Sequence, residues 1–177
     1  MSPEHSPRKA AAWMSGWLAA MVVMVVAGRE ATLSLHVFQI MEMRSLLGLV
    51  LLYPLIRAGG GFAAMRTGRA GLQIARNTFH YAAQFGWFLA LTMIPIAQVV
   101  AIEFTMPIWT AILAFSFLGE RLGAARIGAV ALGLVGVATI VRPSTGHLDP
   151  GQIVALAAAM GFAVSLIMVK ALTRSES

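Results

Sequence analysis

The 177-residue sequence has no cysteine and few charged side chains. Without cysteine it can form no disulfide, no thiolate nucleophile and no cysteine-based metal site. Charged residues make up 11% of the chain and apolar residues 59%, whereas an average soluble protein is about 25% charged. A water-soluble domain of this size needs more polar residues to cover its surface. The composition therefore argues against a soluble enzyme, a nucleic-acid-binding module and a disordered protein.

Residue clusters that support hydrolytic or metal chemistry are also missing from the sequence. The four histidines are scattered, at positions 5, 36, 80 and 147, so their spacing predicts no metal site. There is no Gly-x-Ser-x-Gly motif, and Ser116 and His80 fall on different predicted helices. An intramembrane enzyme is therefore a poor interpretation, and no cofactor is expected.

Six apolar segments are long enough to cross a bilayer, which takes roughly 20 apolar residues in a helix. The predicted spans are residues 13–33, 36–56, 72–94, 97–118, 124–141 and 151–172. The mean hydropathy of the chain is +0.81, and runs such as Met21–Val26 are apolar on every face. The sequence thus predicts an all-α integral membrane protein with six transmembrane helices in the lipid bilayer.

Arginine and lysine fall mostly on one side of these spans. With the N-terminus inside, ten of the 13 basic residues lie on the cytoplasmic side, whereas Arg29 and Arg142 lie outside and Arg44 lies within the second span. Because basic residues are enriched in cytoplasmic loops, we predict a cytoplasmic-membrane protein with both termini inside. This asymmetry explains the net charge of +6 without a nucleic-acid partner. The predicted segments outside the spans include a tail at residues 1–12, an outer loop at 143–150 and a tail at 173–177.

Ionisable and amide side chains occur in spans two and three, where they are costly unless they face a cavity or a partner. Glu42 and Arg44 are two residues apart, so they point to different sides of their helix. They either pair with other helices, reach the outer interface, or take part in binding. Polar residues in span three recur at helical spacing, and these are Gln73, Arg76, Asn77, His80 and Gln84, with Tyr81 beside them and Trp87 continuing the face. Such a line forms interhelical hydrogen bonds or lines an aqueous cavity, and we favour the cavity for His80 and Gln84.

Span four places a carboxylate next to a proline. Pro107 has no N–H to bond the carbonyl of Glu103, so the sequence predicts a helix kink there. Under-bonded backbone at this depth is tolerated where it is buried in protein or lines water. Glu103 is thus the best candidate for a proton or cation site. The other interpretation is a buried carboxylate paired with Arg44, and both can hold together.

Spans five and six carry small residues at helical spacing, which let helices approach closely. They are Ala125, Ala129, Gly133 and Gly136 in span five, and Ala157, Gly161 and Ser165 in span six. We predict a packing role for both sets, in span five against a partner helix or a second copy.

Several short motifs follow one another in a recognisable order. They are Met43-Arg44-Ser45-Leu46 in span two, Ala97 and Pro107 in span four, Leu118-Gly119-Glu120 at its end, Gly128, Gly133, Gly136 and Val137 in span five, and Arg142-Pro143 after it. The stretch from Phe88 to Pro143 in particular resembles the EamA-type half of the drug/metabolite transporter superfamily, and the resemblance extends over about residues 13–142.

The resemblance implies a ten-helix carrier built from two five-helix repeats of opposite orientation, with the substrate path between the repeats. Substrates in the superfamily include amino acids, metabolites, nucleotide derivatives and drugs, moved by a proton gradient or by exchange. Residues 13–142 would form one repeat, and 151–172 the first helix of a second. We therefore expect a truncated carrier, or a chain whose pathway is completed by a missing second repeat or by a homodimer.

The leading hypothesis is an inner-membrane carrier that moves small metabolites or drugs by alternating access. The candidate residues of its pathway are Glu103, His80, Gln84, Glu42, Arg44, Asn77, Tyr81 and Trp109, with Pro107 as the helix kink. One alternative is a small multidrug-resistance-like dimeric exporter. Such exporters have four spans and typically carry an essential glutamate deep in the first helix, whereas Glu30 lies near the outer end of span one. Another is a membrane subunit or fragment that does not transport.

Overall fold

The structure, a computed structural model, describes residues 7–61, 67–119, 123–141 and 149–173. Within these ranges the chain contains seven α-helices and no strand. In chain order they are α1 (Pro7–Ser34), α2 (Val37–Ala58), α3 (Ala70–Met93), α4 (Ile96–Glu103), α5 (Met106–Leu118), α6 (Ala124–Val141) and α7 (Pro150–Thr173). The predicted all-α fold class is confirmed, and the fourth predicted span consists of two helices, α4 and α5.

Several helices, or pairs of consecutive helices, have the length and composition of membrane spans. Four stretches are able to cross a bilayer on these criteria, namely Ala10–Ser34, Val37–Ala58, Ile96–Leu118 and Pro150–Thr173. The apolar part of α6 is shorter, and α3 carries the polar line that lowers its hydropathy. Large apolar side chains on α1 and α2 are exposed, for example Trp13 at 80% and Leu51 at 71%. Such surfaces suit contact with lipid and not with water.

Helix α1 begins earlier than the sequence predicted. It starts at Pro7 instead of Trp13, because proline is favoured in the first helical turn and the following alanines have high helix propensity. The other helix ends lie within two residues of the predicted ends. Some predicted features lie outside the described residues, and these are residues 1–6, the loop residues 143–148, the tail residues 174–177, and Glu120, Arg121 and Arg142.

Helices α1 and α2 are joined by a tight turn that ends at a cap. The side chain of His36 accepts a hydrogen bond from the N–H of Phe38, and the Gln39 side chain accepts one from the N–H of His36. This reciprocal arrangement satisfies free N–H groups at the start of α2. It fixes the point at which the chain turns back into the second helix.

Helix α7 packs most extensively along α3, with further contacts to α4 and α5. A Cβ atom on Gly161 would lie 3.0 Å from the Cβ of Ala83, and one on Gly86 would lie 3.5 Å from the Cβ of Ala158. Small residues on both helices therefore allow the two backbones to approach closely. Above this contact, Met41, Leu91 and Val99 are almost fully buried in a core shared by α2, α3 and α4.

Helix α6 contributes less to this packing than α7 does. Added Cβ atoms at Gly128, Gly133 and Gly136 would meet nothing within 4 Å among the described residues. Ala129 and Gly133 instead line an apolar groove of about 510 Å³ between α5, α6 and α7. The small residues of α6 thus do not serve close packing within the described part of the chain, whereas Gly161 of α7 does.

The N-terminus of α7 is capped by Asp149, and this cap gives a first prediction. The Asp149 carboxylate accepts from the N–H of Gly151 at 2.8 Å, and the Gln152 side chain accepts from the N–H of Asp149 at 3.4 Å. Asp149→Ala is expected to lower the free energy of unfolding by about 1 kcal/mol, since it removes an N-cap. The measurement is denaturant unfolding in detergent. Asp149→Asn keeps a capping oxygen and is expected to retain wild-type stability, and equal losses in both variants would contradict this role.

Candidate functional site

A polar cluster, formed by Arg44, His80 and Gln84, joins α2 to α3. Its hydrogen bonding orients the Gln84 amide with the oxygen toward the other two residues. That oxygen accepts from Arg44 Nη2 at 3.1 Å, from Arg44 Nη1 at 3.2 Å and from His80 Nε2 at 3.3 Å. Arg44 lies near the middle of α2 and His80 near the middle of α3. The cluster therefore lies far from the ends of both helices.

Aromatic rings surround the polar cluster. The guanidinium carbon of Arg44 lies 5.7 Å from the centre of the Phe88 ring, within range for a cation–π contact. The His80 ring meets Phe162 of α7 edge to face, at 5.4 Å between centroids. Phe88 is buried, whereas Arg44 is exposed and His80 and Gln84 are half-buried. The rings thus hold the cluster on one side and leave Arg44 accessible on the other.

Arg76 extends the same face of α3 by one turn below His80. Residues 76, 80 and 84 are spaced by four, so their side chains follow one another along one side of the helix. The Nε atom of Arg76 is buried and has no hydrogen-bond partner among the described residues. A second cationic side chain therefore lies beside the polar cluster with a donor unused.

Glu103 is held by a tryptophan and not by an arginine. Its Oε2 atom accepts from Trp87 Nε1 at 2.9 Å. No ion pair between Glu103 and Arg44 is found in the described part of the chain, so the ion pair considered from the sequence does not form. Trp87 and Phe88, which meet edge to face at 5.2 Å, explain this arrangement. Trp87 binds the carboxylate while its neighbour Phe88 contacts the guanidinium.

The helix break follows directly after Glu103. Helix α4 ends at Glu103 and α5 begins at Met106, with Pro107 in its first turn. The Thr105 hydroxyl donates to the carbonyl of Ile102 at 2.7 Å and accepts from Trp109 Nε1 at 3.2 Å. The missing N–H of Pro107 thus interrupts the helix, and Thr105 satisfies part of the interrupted backbone.

Not every predicted site residue joins these groups. Glu42, Asn77 and Tyr81 are exposed on their helices, outside the polar cluster. Trp109 lines a groove of about 480 Å³ between α5, α6 and α7, together with Thr105 and Gln152. The structure therefore brings together Arg44, His80 and Gln84, places Glu103 and Trp109 at the helix break, and separates the other three.

Three aromatic residues at the site were not assigned a role from the sequence. Trp87 donates a hydrogen bond to Glu103, Phe88 forms a cation–π contact with Arg44, and Phe162 packs on His80. Trp87 continues the polar face of α3, which is the one sequence signal that pointed to it. Among the described residues, no group of three or more histidine, aspartate or glutamate side chains is placed to hold a metal ion.

Comparison with known proteins identifies the chain's relatives. Residues 8–142 match the EamA-like transporter family. The chain is 34% identical over 130 residues to a riboflavin transporter of Brucella anthropi, covering 73% of this chain and 45% of that protein. It is 27% identical over 143 residues to an S-adenosylmethionine uptake transporter of Rickettsia felis, covering 81% and 48%. A riboflavin transporter of Vibrio cholerae is 26% identical over 180 residues, covering 100% of this chain and 60% of that protein.

The chain spans about half the length of the first two of these relatives. No solved structure matches it.

Proposed function

Since the chain belongs to the EamA-like transporter family, and not to a family of enzymes, we propose that it forms part of a carrier for a small metabolite. Its relatives are named as transporters of riboflavin and S-adenosylmethionine. Both solutes combine a planar ring system with polar substituents. We propose a substrate of that general kind.

The observation that carries this proposal is the polar cluster in otherwise apolar helices. A charged side chain in a membrane helix is costly and usually faces a cavity, a partner or a substrate pathway. Arg44, His80 and Gln84 are bonded to one another, yet Arg44 remains exposed. This arrangement supports a role in which the cluster faces an aqueous path.

We further propose alternating access between two repeats. In inverted-repeat carriers the site lies where the repeats meet, next to broken helices. The break between α4 and α5, next to Glu103, is a helix discontinuity of this kind. Packing of α7 along α3 supports a pathway completed by a second repeat or by a second copy. The small dimeric exporter is less well supported. Such an exporter typically has an essential glutamate deep in its first helix, whereas Glu30 is exposed near the end of α1.

The location follows from the distribution of basic residues. We propose that the carrier lies in the cytoplasmic membrane with both termini inside, because ten of the 13 basic residues then lie on the cytoplasmic side. Lipid is the expected partner of the exposed faces of α1 and α2.

Removal of Gln84 tests the proposed function. Gln84→Ala takes away the acceptor shared by Arg44 and His80, and hydrogen bonds to charged groups are worth about 1.5–3 kcal/mol. We expect the initial rate of uptake to fall about tenfold or more. The measurement uses labelled riboflavin and labelled S-adenosylmethionine, in cells that lack their own uptake and express the protein at its native length.

Thr78→Ala is the matched control. Thr78 is exposed on the same helix, and within the described residues its hydroxyl donates to the carbonyl of Ile74 in the preceding turn and to no other group. We expect this variant to retain wild-type uptake. Wild-type uptake by Gln84→Ala would remove the polar cluster from the pathway, and absence of uptake of both solutes by the wild type would argue against this substrate kind.

A further inference from the structure

We propose that the polar cluster and Arg76 bind an oxyanion of the transported solute, either a carboxylate or a phosphate. This inference rests on the proposed carrier function and specifies the chemical class of its substrate. It adds a charge requirement that the family match does not contain; of the two solutes named for the relatives, S-adenosylmethionine carries a carboxylate and riboflavin carries no oxyanion.

The first observation behind this proposal is the balance of charge around the polar cluster. Arg44 and Arg76 are both cationic. Arg44 of α2 contacts Gln84 on one face of α3, and Arg76 belongs to that same face. Neither forms an ion pair within the parts of the chain that the structure describes. Glu42 lies two residues from Arg44 and points to another side of α2, whereas Glu103 is bound by Trp87. One positive charge therefore contacts Gln84 and the other lies one helical turn from His80, and neither is paired with a carboxylate of the described residues.

The second observation is the geometry of the Arg44 guanidinium. A guanidinium has five N–H donors in a planar fork, and the contacts to Gln84 involve its two terminal nitrogens. The Phe88 ring and the Gln84 oxygen fix the position of the fork. Its remaining N–H groups have no partner among the described residues, so they can bind a carboxylate or a phosphate, which arginine does in a bidentate way. Arg44 is thus held in place before the ligand arrives.

Arg76 adds a further donor in the same line. Its Nε atom is buried and has no partner among the described residues. An unused donor in such a position is costly, and an oxyanion bound next to Arg76 would satisfy it. Without a ligand, the Arg44 charge within the second span would also stay uncompensated among the described residues. The requirement for an anion therefore falls on the ligand.

A dissolved solute fits this position better than a lipid headgroup. Arg44 and His80 lie near the middle of their helices, whereas lipid phosphates lie at the surfaces of a hydrocarbon layer about 30 Å thick. The half-buried ring of Phe162 next to the cluster also suits a solute with a planar ring. We therefore assign the oxyanion to the solute.

The test compares two probes that differ only in a phosphate group, riboflavin and riboflavin 5′-phosphate. The protein at its native length is reconstituted in phosphatidylcholine nanodiscs, and binding is followed by the fluorescence polarisation of the flavin ring. We expect the phosphorylated probe to bind about tenfold to a hundredfold more tightly, as charge-assisted hydrogen bonds require. In Arg44→Gln this preference is expected to fall to near one.

Arg57→Gln is the matched control. Arg57 lies on the same helix and also contacts an aromatic ring, that of Tyr53, at 5.8 Å, but it is away from the polar cluster. The variant is expected to keep the full preference for the phosphorylated probe. Arg44→Lys retains the charge but loses the planar fork, so an intermediate preference is expected. A thermal melt of each variant identifies any loss that is due to unfolding.

Three results would overturn the inference. They are equal binding of the two probes, a preference that persists in Arg44→Gln, and no binding of either probe by a folded wild type. If nanodiscs that contain phosphatidylglycerol abolish the preference, the oxyanion is a lipid headgroup and the assignment to a solute is wrong. The uptake experiment is independent, so riboflavin uptake without a phosphate preference in binding would leave the carrier function intact.

Discussion

Gly161→Leu is expected to separate α7 from α3 and to lower the stability of the protein. A Cβ atom at this position would already lie 3.0 Å from the Cβ of Ala83 and 3.6 Å from the carbonyl oxygen of Phe79. The remaining leucine atoms extend further into the seam, so the helices must move apart. Overpacking of this kind costs about 1–3 kcal/mol, which exceeds the gain of up to about 1 kcal/mol from replacing a helical glycine.

Thermal unfolding in detergent, followed by circular dichroism, measures this effect. For a chain of this length a loss of about 2 kcal/mol corresponds to about 5 °C in the unfolding midpoint. Gly136→Leu is the matched control, because a Cβ at Gly136 meets nothing within 4 Å among the described residues. It is expected to leave the midpoint unchanged or to raise it. Equal midpoints for the two variants would show that the α3–α7 contact does not depend on Gly161.

The helices were largely predictable because their signals are local. A run of roughly 20 apolar residues specifies a membrane helix wherever it packs, and most predicted ends lie within two residues of the observed ends. The break before Met106 was predictable for the same reason, since it follows from the missing N–H of Pro107. The start of α1 at Pro7 was not predicted, because Arg8 and Lys9 follow it and the apolar run begins only after them.

Which polar side chains contact one another was less predictable from the sequence. Glu103 and Arg44 have opposite charges and similar estimated depths, which made an ion pair plausible from the sequence. The rotation of α3 decides otherwise, because it presents Trp87 to the carboxylate and Phe88 to the guanidinium. Helix rotation depends on packing with all neighbours at once, and small-residue spacing alone does not specify it. For the same reason the glycines of α6 and α7 look alike in sequence but differ in their packing.

The candidate site was likewise predictable only in part from the sequence. Spacing by four residues placed His80 and Gln84 on one face of α3, and this face does contact Arg44. Asn77 and Tyr81, which are neighbours in sequence, are exposed away from the cluster. Periodicity thus predicts which residues share a face, but it does not predict which edge of that face meets another helix.

Glu103→Gln is expected to abolish most net uptake while leaving the fold intact. Glutamine retains an oxygen that accepts from Trp87 Nε1, so the contact between α3 and α4 is preserved, but the negative charge is lost. If Glu103 carries the coupling proton or cation, gradient-driven uptake falls about tenfold or more, equivalent to about 1.4 kcal/mol. The measurement is the initial rate of labelled-solute uptake by cells that express the protein at its native length, corrected for its amount in the membrane.

Exchange of labelled for unlabelled solute distinguishes coupling from binding. A carrier that has lost only its coupling carboxylate still exchanges solute across the membrane without a gradient, because the substrate alone drives both half-reactions. We therefore expect Glu103→Gln to retain exchange while net uptake fails. Glu30→Gln, which neutralises an exposed carboxylate near the end of α1, is expected to retain both. Equal loss of exchange and uptake in Glu103→Gln would place Glu103 in substrate binding, and wild-type values for both would reduce its role to holding Trp87.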